Sequence, residues 1–190
     1  MDKSIIKKIA FLGGAGWVEG EQTYEDSFNV AKLLAENGYE VVNGGGPGVM
    51  RAATNGAHKG RGKVLAVTYH PNKPKKNYEG VDKDNHFDEE VYTLDYFDRT
   101  KVMLQNTDLH ILFNGATGTI SEFGMTWASS RIHEGDNKPI ILYGSFWEEL
   151  IKSFQERMKL RPGEVELLKI CTTPQEVLDY IESLNLRESS

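Results

Sequence analysis

Short runs of apolar, strand-forming residues alternate with amphipathic stretches along nearly the whole chain. The runs that predict strands are Lys8–Leu12, Glu40–Val42, Lys63–Thr68, Leu109–Phe113, Pro139–Leu142 and Lys169–Cys171. Apolar residues at helical spacing predict helices at Thr23–Asn37, Val49–Lys59, Phe97–Asn106, Thr119–Glu134, Phe146–Lys159 and Thr173–Leu184. Alternating strands and helices form right-handed crossovers between parallel strands, with helices on both faces of the sheet. We therefore predict an α/β fold, a three-layer, doubly wound, Rossmann-like architecture with a mainly parallel sheet.

The length of the chain favours one domain. The chain has 190 residues, and domains have roughly 100–200 residues. We expect a single Rossmann-like domain over residues 1–186 and a frayed tail at 187–190. One segment, Tyr69–Glu89, breaks the alternation with prolines, lysines, Asn and Asp, so we interpret it as a long surface loop.

Composition excludes several classes of function. The 22 Lys and Arg against 28 Asp and Glu give a net charge of −6, which argues against nucleic-acid binding. Cys171 is the single cysteine, and the five histidines show no ligand spacing, so we expect no intramolecular disulfide and no metal. No apolar run approaches the ~18 residues of a membrane span. We expect a cytoplasmic protein that does not bind membranes.

Glycine-rich turns follow three of the predicted strands, after Leu12, Asn43 and Phe113. Ligands of doubly wound sheets bind at the carboxyl ends of the strands, near the point where the strand order reverses. The first turn contributes Gly14. The second contributes Gly45, Gly46 and Gly48, followed by Met50. Consecutive glycines indicate that a ligand or another backbone comes close; a turn packed against a neighbouring loop is the alternative.

The third turn, Asn114–Thr119, joins a strand to a helix and has the features of a phosphate cradle. Gly115 and Gly118 allow backbone N–H groups to approach an anion, the helix N-terminus adds positive charge, and Thr117 and Thr119 offer hydroxyl donors. The turn lacks the lysine of a Walker P-loop and the GxGxxG spacing of dinucleotide-binding proteins. A tight turn without a ligand remains the alternative.

Glu122 has two interpretations. Thr119 and Glu122 have the spacing of a helix capping box, and from spacing alone this role is favoured. The same spacing recurs at Thr173 and Glu176, where we expect capping only. Because Glu122 directly follows the phosphate cradle, its carboxylate could instead face the sugar of a nucleotide.

Three segments together resemble one family. Gly44–Ala57 (GGGPGVMRAATNGA) resembles the GGGxxGLM element of the LOG (Lonely Guy) phosphoribohydrolases, which are often mislabelled lysine decarboxylases. Asn114–Glu122 (NGATGTISE) resembles their PGGxGTxxE motif, and Asp95–Met103 (DYFDRTKVM) resembles their DMxxRKxxM helix. The similarity extends from about Ile9 to Leu142, and the motifs occur in the family's order.

This resemblance implies an enzyme that hydrolyses the N-glycosidic bond of a nucleoside 5′-monophosphate, AMP or a modified adenine nucleotide, to free base and ribose 5-phosphate. It implies a catalytic pair, Arg99 and Glu122, and no cofactor. The chain departs from the motifs at Asn114, Ala116 and Thr100, where the family has Pro, Gly and Lys. These departures leave open a second hypothesis, a non-catalytic binding or carrier protein for a nucleotide or another phosphorylated ligand.

The resemblance also implies a homodimer. The helices that contain Arg99 and Glu122 have apolar residues that could bury a second face; they are Val102, Met103, Phe123, Met125 and Trp127. The alternative is that all five serve the core of one chain.

Overall fold

The computed structural model of the chain describes residues 6–70, 80–132 and 138–188. Within these residues seven strands form one sheet; they are Lys8–Leu12 (β1), Glu40–Asn43 (β2), Val64–Tyr69 (β3), Glu89–Thr93 (β4), Leu109–Leu112 (β5), Ile140–Tyr143 (β6) and Leu168–Cys171 (β7). The helices are Gln22–Glu36 (α1), Val49–Lys59 (α2), Tyr96–Gln105 (α3), Thr117–Ile132 (α4), Phe146–Arg157 (α5) and Pro174–Glu188 (α6). A short 3₁₀ helix, Val165–Leu167, precedes β7.

The sheet has the strand order β4-β3-β2-β1-β5-β6-β7. Every neighbouring pair is parallel, which confirms the predicted doubly wound α/β fold. The chain first builds outward from β1 to β4 and then returns to the other side of β1 to form β5. The order therefore reverses between β1 and β5, and ligands of such sheets bind at the carboxyl ends of these strands.

Helices cover both faces of the sheet because alternate residues of each central strand point to opposite sides. In β1, Ile9 and Phe11 pack into a core with α1, α2 and α6. Ala10 and Leu12 pack into a second core with α3, α4 and α5. All four residues are buried. In the described part of the chain, no helix is long and apolar enough to cross a membrane.

The structure differs from the sequence-based prediction at β4 and at the end of α6. β4 was not expected, because four of its five residues are exposed and it lacks the apolar run of a buried strand; it lies at the edge of the sheet and pairs only with β3. Helix α6 continues to Glu188, so the first two residues of the expected frayed tail, 187–190, are helical, and residues 189 and 190 lie outside the described ranges.

The apolar residues that we considered for a dimer surface belong largely to the core of the single chain. Met103 and Phe123 are buried. Val102, Met125 and Trp127 are partly buried and pack against the same core, and the Trp127 indole N–H donates to the carbonyl oxygen of Glu164 at 2.7 Å. This set therefore gives no support for a second buried face.

Candidate functional site

A cavity of about 900 Å³ lies at the carboxyl edge of the sheet, lined by the turns after β1, β2 and β5 and by the first turns of α3 and α4. The strand order reverses between β1 and β5, so this is the position predicted from the three glycine-rich turns. Gly14, Met50, Gly115, Thr117, Gly118, Thr119, Arg99 and Glu122 all line the cavity.

The three turns are joined to each other by backbone hydrogen bonds. The Gly14 N–H donates to the Asn114 carbonyl oxygen at 3.0 Å, and the Gly14 carbonyl oxygen accepts from the Val49 N–H at 3.0 Å. The indole N–H of Trp17 donates to the same Asn114 carbonyl oxygen at 2.8 Å. Gly14 therefore connects the other two turns of the cavity rim.

Some of the predicted binding glycines serve this contact between turns. Gly48 has a φ of +66°, and a Cβ atom there would lie 2.3 Å from the Gly14 carbonyl oxygen. A Cβ atom at Gly115 would lie 2.6 Å from the Gly14 nitrogen. Gly45, Gly46 and Gly48 do not line the cavity, whereas Gly44 and Pro47 do. For Gly48, the alternative of a turn packed against its neighbour is the one that the structure supports.

The first turn of α4 borders the cavity. The helix begins at Thr117, and the first N–H groups of a helix have no partner within it, which makes this end attractive to an anion. A Cβ atom at Gly118 would meet nothing closer than the Tyr96 hydroxyl at 3.9 Å. The protein therefore does not require glycine at 118 for packing, and the space beside it is open to a ligand.

Arg99 of α3 and Glu122 of α4 form an ion pair inside the cavity, with 3.5 Å between Arg99 Nη2 and Glu122 Oε1. The Arg99 side chain is 16% exposed and the Glu122 side chain 7% exposed. The capping-box interpretation of Glu122 is wrong. The helix begins two residues before Thr119, so Thr119 is not the N-cap and Glu122 is not the N3 residue.

The electrostatics of Glu122 are unusual for a carboxyl group. Burial raises the pKa of Glu122 to about 7, and the charge of Arg99 lowers it only in part. Near neutral pH the group is thus divided between its acid and its carboxylate, as suits a group that stabilises positive charge or accepts a proton. Among the described residues, no group of three or more His, Cys, Asp or Glu could hold a metal ion.

Aromatic residues that were not singled out from the sequence also line the cavity; they are Phe11, Trp17, Tyr69 and Tyr96. The Arg99 guanidinium lies 5.5 Å from the centre of the Tyr69 ring and 5.2 Å from that of the Tyr96 ring. The sequence feature that could have indicated Tyr96 is its position next to Asp95, the N-cap of α3. The Asp95 carboxylate accepts from the N–H groups of Phe97 and Asp98. No local pattern could have indicated Tyr69, which ends β3.

The described end of the segment predicted as a loop, residues 80–88, holds the turn after β2 in place. The Asp82 N–H donates to the Gly45 carbonyl oxygen at 3.0 Å, and the Asn85 amide donates to the Gly46 carbonyl oxygen at 2.8 Å. Asp82 also forms an ion pair with Arg51, at 3.0 Å. Residues 71–79 of that segment lie outside the described residues.

The fold and the cavity together define a Rossmann-like protein with a ligand site at the carboxyl edge of its sheet. The chain belongs to the SLOG cluster4 family, whose model matches residues 7–172. This match does not single out the LOG enzymes within the wider group.

Individual relatives agree with this assignment. An uncharacterized protein of Archaeoglobus fulgidus is 31% identical over 132 residues, which are 69% of this chain and 81% of the relative. Among solved structures, the molybdenum cofactor binding protein of Rippkaea orientalis has a TM-score of 0.69 at 23% identity, over 95% of this chain and 99% of its own. The molybdenum cofactor carrier protein of Chlamydomonas reinhardtii has a TM-score of 0.66 at 17% identity, over 94% and 98%. These structures show a shared fold.

Proposed function

We propose that the cavity binds a nucleoside 5′-monophosphate and that the protein hydrolyses the N-glycosidic bond of this substrate. One observation supports this proposal above the others. Glu122 is a buried carboxyl group in contact with Arg99, inside a cavity that the N-terminus of a helix borders. Burying such a pair is unfavourable unless the pair has excellent geometry and further hydrogen bonds, so its position in an open cavity favours a role with a ligand.

The phosphate would bind at the turn from Gly115 to Thr119. Backbone N–H groups of the first turn of α4 and the positive end of its dipole attract an anion, and Gly118 leaves room for close approach. Binding energy gained at the phosphate, remote from the bond that breaks, is then available to fix the sugar in a reactive geometry.

In the reaction, the bond between C1′ and the base nitrogen breaks, and the base leaves with the bonding electrons. Positive charge develops on the ribose as this bond lengthens, and the carboxylate of Glu122 stabilises that charge. A water molecule adds its oxygen to C1′ and loses a proton, which Glu122 accepts and returns to solvent, and the departing base takes up a proton from solvent. The products are ribose 5-phosphate and the free base.

Arg99 would serve the same reaction from the other side of the pair. Its charge favours the ionised form of Glu122, the form that stabilises a cation. A guanidinium group also offers two parallel N–H donors to a phosphate or carboxylate. Both roles need the side chain within the cavity, whose wall it lines.

The test is product analysis with a panel of AMP and modified adenine nucleotides. Free base and ribose 5-phosphate should appear in equal amounts with wild-type protein. Glu122→Gln should reduce turnover by about 10²-fold or more, the scale of one well-placed electrostatic group. Glu149→Gln, an exposed residue of α5, is the matched control and should behave as wild type. Intact nucleotides throughout the panel would count against hydrolysis.

A second candidate is a carrier that holds a phosphorylated heterocyclic ligand without cleaving it. Two structural relatives, a molybdenum cofactor binding protein and a molybdenum cofactor carrier protein, favour this candidate. The departures at Asn114, Ala116 and Thr100 favour it as well. A ligand that raises the melting temperature and is recovered unchanged after long incubation would favour the carrier over the enzyme.

A homodimer remains part of the proposal, on the ground of the LOG resemblance alone. Light scattering at micromolar concentration should then show about twice the chain mass of 21.4 kDa. A species of the chain mass alone would remove the dimer and leave the proposed reaction untouched.

A further inference from the structure

Two aromatic rings lie close to the Arg99 guanidinium. The group lies between the rings of Tyr69 and Tyr96. Its Nε atom is buried and has no hydrogen-bond partner among the described residues. Nη2 is 3.5 Å from Glu122 Oε1. At this distance the salt bridge restrains the orientation of the guanidinium only weakly. An arginine side chain with four rotatable bonds needs more than this to stay in one place.

Tyr96 supplies two restraints that come from opposite ends of its side chain. Its ring faces the guanidinium at 5.2 Å, within the range of cation–π attraction. Its hydroxyl donates to the carbonyl oxygen of Gly118 at 3.2 Å. Gly118 belongs to the first turn of α4, the helix that also contains Glu122. One side chain of α3 therefore contacts both Arg99 and the turn that borders the anion cradle.

We propose that Tyr96 is a positioning residue: its ring holds Arg99 beside Glu122, and its hydroxyl ties this arrangement to the first turn of α4. The effect of Tyr96 on catalysis rests on the proposed function, whereas its effect on the ion pair does not. The motif that α3 resembles has Met at this position, so this restraint is a property of the present chain.

Removing the ring has a consequence that can be measured without any ligand. Once Arg99 moves away into water, its charge no longer favours the carboxylate of Glu122, and the carboxyl group titrates at higher pH. The other ionisable side chains that line the cavity are Glu21, Tyr69 and Tyr96 itself; the charge that acts on Glu122 is that of Arg99.

The experiment is a pH titration of the Glu122 side-chain carboxyl carbon by ¹³C NMR, in ligand-free protein, with the signal assigned by its absence from Glu122→Gln. Tyr96→Leu should raise the midpoint by roughly half a pH unit or more. Tyr96→Phe keeps the ring and should titrate as wild type. Phe97→Leu is the control, because Phe97 is the next residue, 71% exposed and outside the cavity wall.

Turnover supplies a second readout, since a residue that positions Arg99 should affect the chemical step. At pH 7, Tyr96→Leu should lower kcat about tenfold, whereas Tyr96→Phe should retain most of kcat and lose affinity for phosphate-bearing ligands. The proposal would be overturned if Tyr96→Leu folds and its Glu122 carboxyl group titrates at the wild-type midpoint. It would also be overturned if Tyr96→Phe shifts that midpoint as far as Tyr96→Leu does. A protein without hydrolytic activity would refute the proposed function while leaving the titration as a test of Tyr96.

Discussion

Replacing Glu122 with Gln removes a buried charge and keeps the shape of the side chain. Burial raises the pKa of Glu122 from 4.5 to about 7, so the folded protein binds this proton more tightly than the unfolded chain does. The stability that a carboxyl group with a raised pKa contributes is fully present below pH 4.5 and is lost as the pH rises through 7. Glu122→Gln does not titrate and therefore escapes this loss.

The magnitude follows from the two pKa values. A difference of 2.5 units corresponds to about 3 kcal/mol of unfolding free energy, fully lost above pH 7. Between pH 5 and pH 7.5 the change is roughly 2 kcal/mol. The free energy of unfolding of Glu122→Gln, relative to wild type, should therefore rise by about 2 kcal/mol over this interval. Any pH-independent effect of the substitution cancels in this comparison, and the Arg99 ion pair, which forms as Glu122 ionises, is already included in the folded-state pKa of about 7.

Urea denaturation of both proteins at four pH values between 5 and 7.5 measures this difference. For the control Glu149→Gln, exposed on α5, the free energy of unfolding should change with pH as it does for wild type. Parallel curves for Glu122→Gln and wild type would refute the reasoning, because they would mean that the Glu122 carboxyl group has the same pKa in the folded and unfolded states. The acid limb of the pH profile of kcat/KM should have an apparent pKa near 7, because this limb reports the ionisation of Glu122 in the free enzyme.

Three further predictions concern other parts of the molecule. Gly118→Ala and Gly124→Ala both add a methyl group to α4 where the protein leaves space, so both should fold; only Gly118→Ala should weaken binding of AMP in calorimetry, by tenfold or so, because Gly118 lines the cavity. Burial lowers the pKa of His110 to about 3, so from pH 7.5 to 5 wild type should lose about 2 kcal/mol of stability relative to His110→Leu, measured by urea denaturation. Trp17 is the tryptophan of the cavity wall, so AMP should change the fluorescence of wild type and leave that of Trp17→Phe unchanged.

The sequence was sufficient to predict most of the fold because buried parallel strands are continuous apolar runs. β6 is such a run, β1 and β5 are interrupted only by Lys8 and His110, and the structure contains all three strands. β4 has the sequence EEVYT and is exposed on an edge, where pairing with β3 rather than burial defines the strand. Local patterns do not encode that pairing.

Capping patterns were informative only where the helix boundary was right. Thr173 and Glu176 form the predicted capping box, with the Glu176 N–H donating to Thr173 Oγ1 at 3.2 Å and the Thr173 N–H donating to Glu176 Oε2 at 3.3 Å. The same spacing at Thr119 and Glu122 lies inside α4. Spacing alone does not distinguish these cases, because it does not specify the residue at which a helix starts.

The candidate site was predictable in part. The strand-end glycine turns indicated its location, and the resemblance paired Arg99 with Glu122, two residues that the tertiary fold brings into contact. The positive φ of Gly48 and the contact of its turn with Gly14 depend on how three separate loops meet. The aromatic surroundings of Arg99 depend on the end of β3 lying beside α3, which no single segment specifies.

The most direct test of the proposed reaction is a single-turnover experiment with AMP and an excess of protein, after calorimetry has established that wild type and Glu122→Gln both bind the nucleotide. Chromatography of the quenched mixture follows adenine, and ³¹P NMR follows ribose 5-phosphate. We predict equal amounts of the two products from wild type and a rate reduced by about 10²-fold or more in Glu122→Gln. Bound AMP that stays intact in wild type would contradict hydrolysis of AMP. Cleavage by Glu122→Gln at the wild-type rate would contradict the assignment of Glu122 as the catalytic carboxylate.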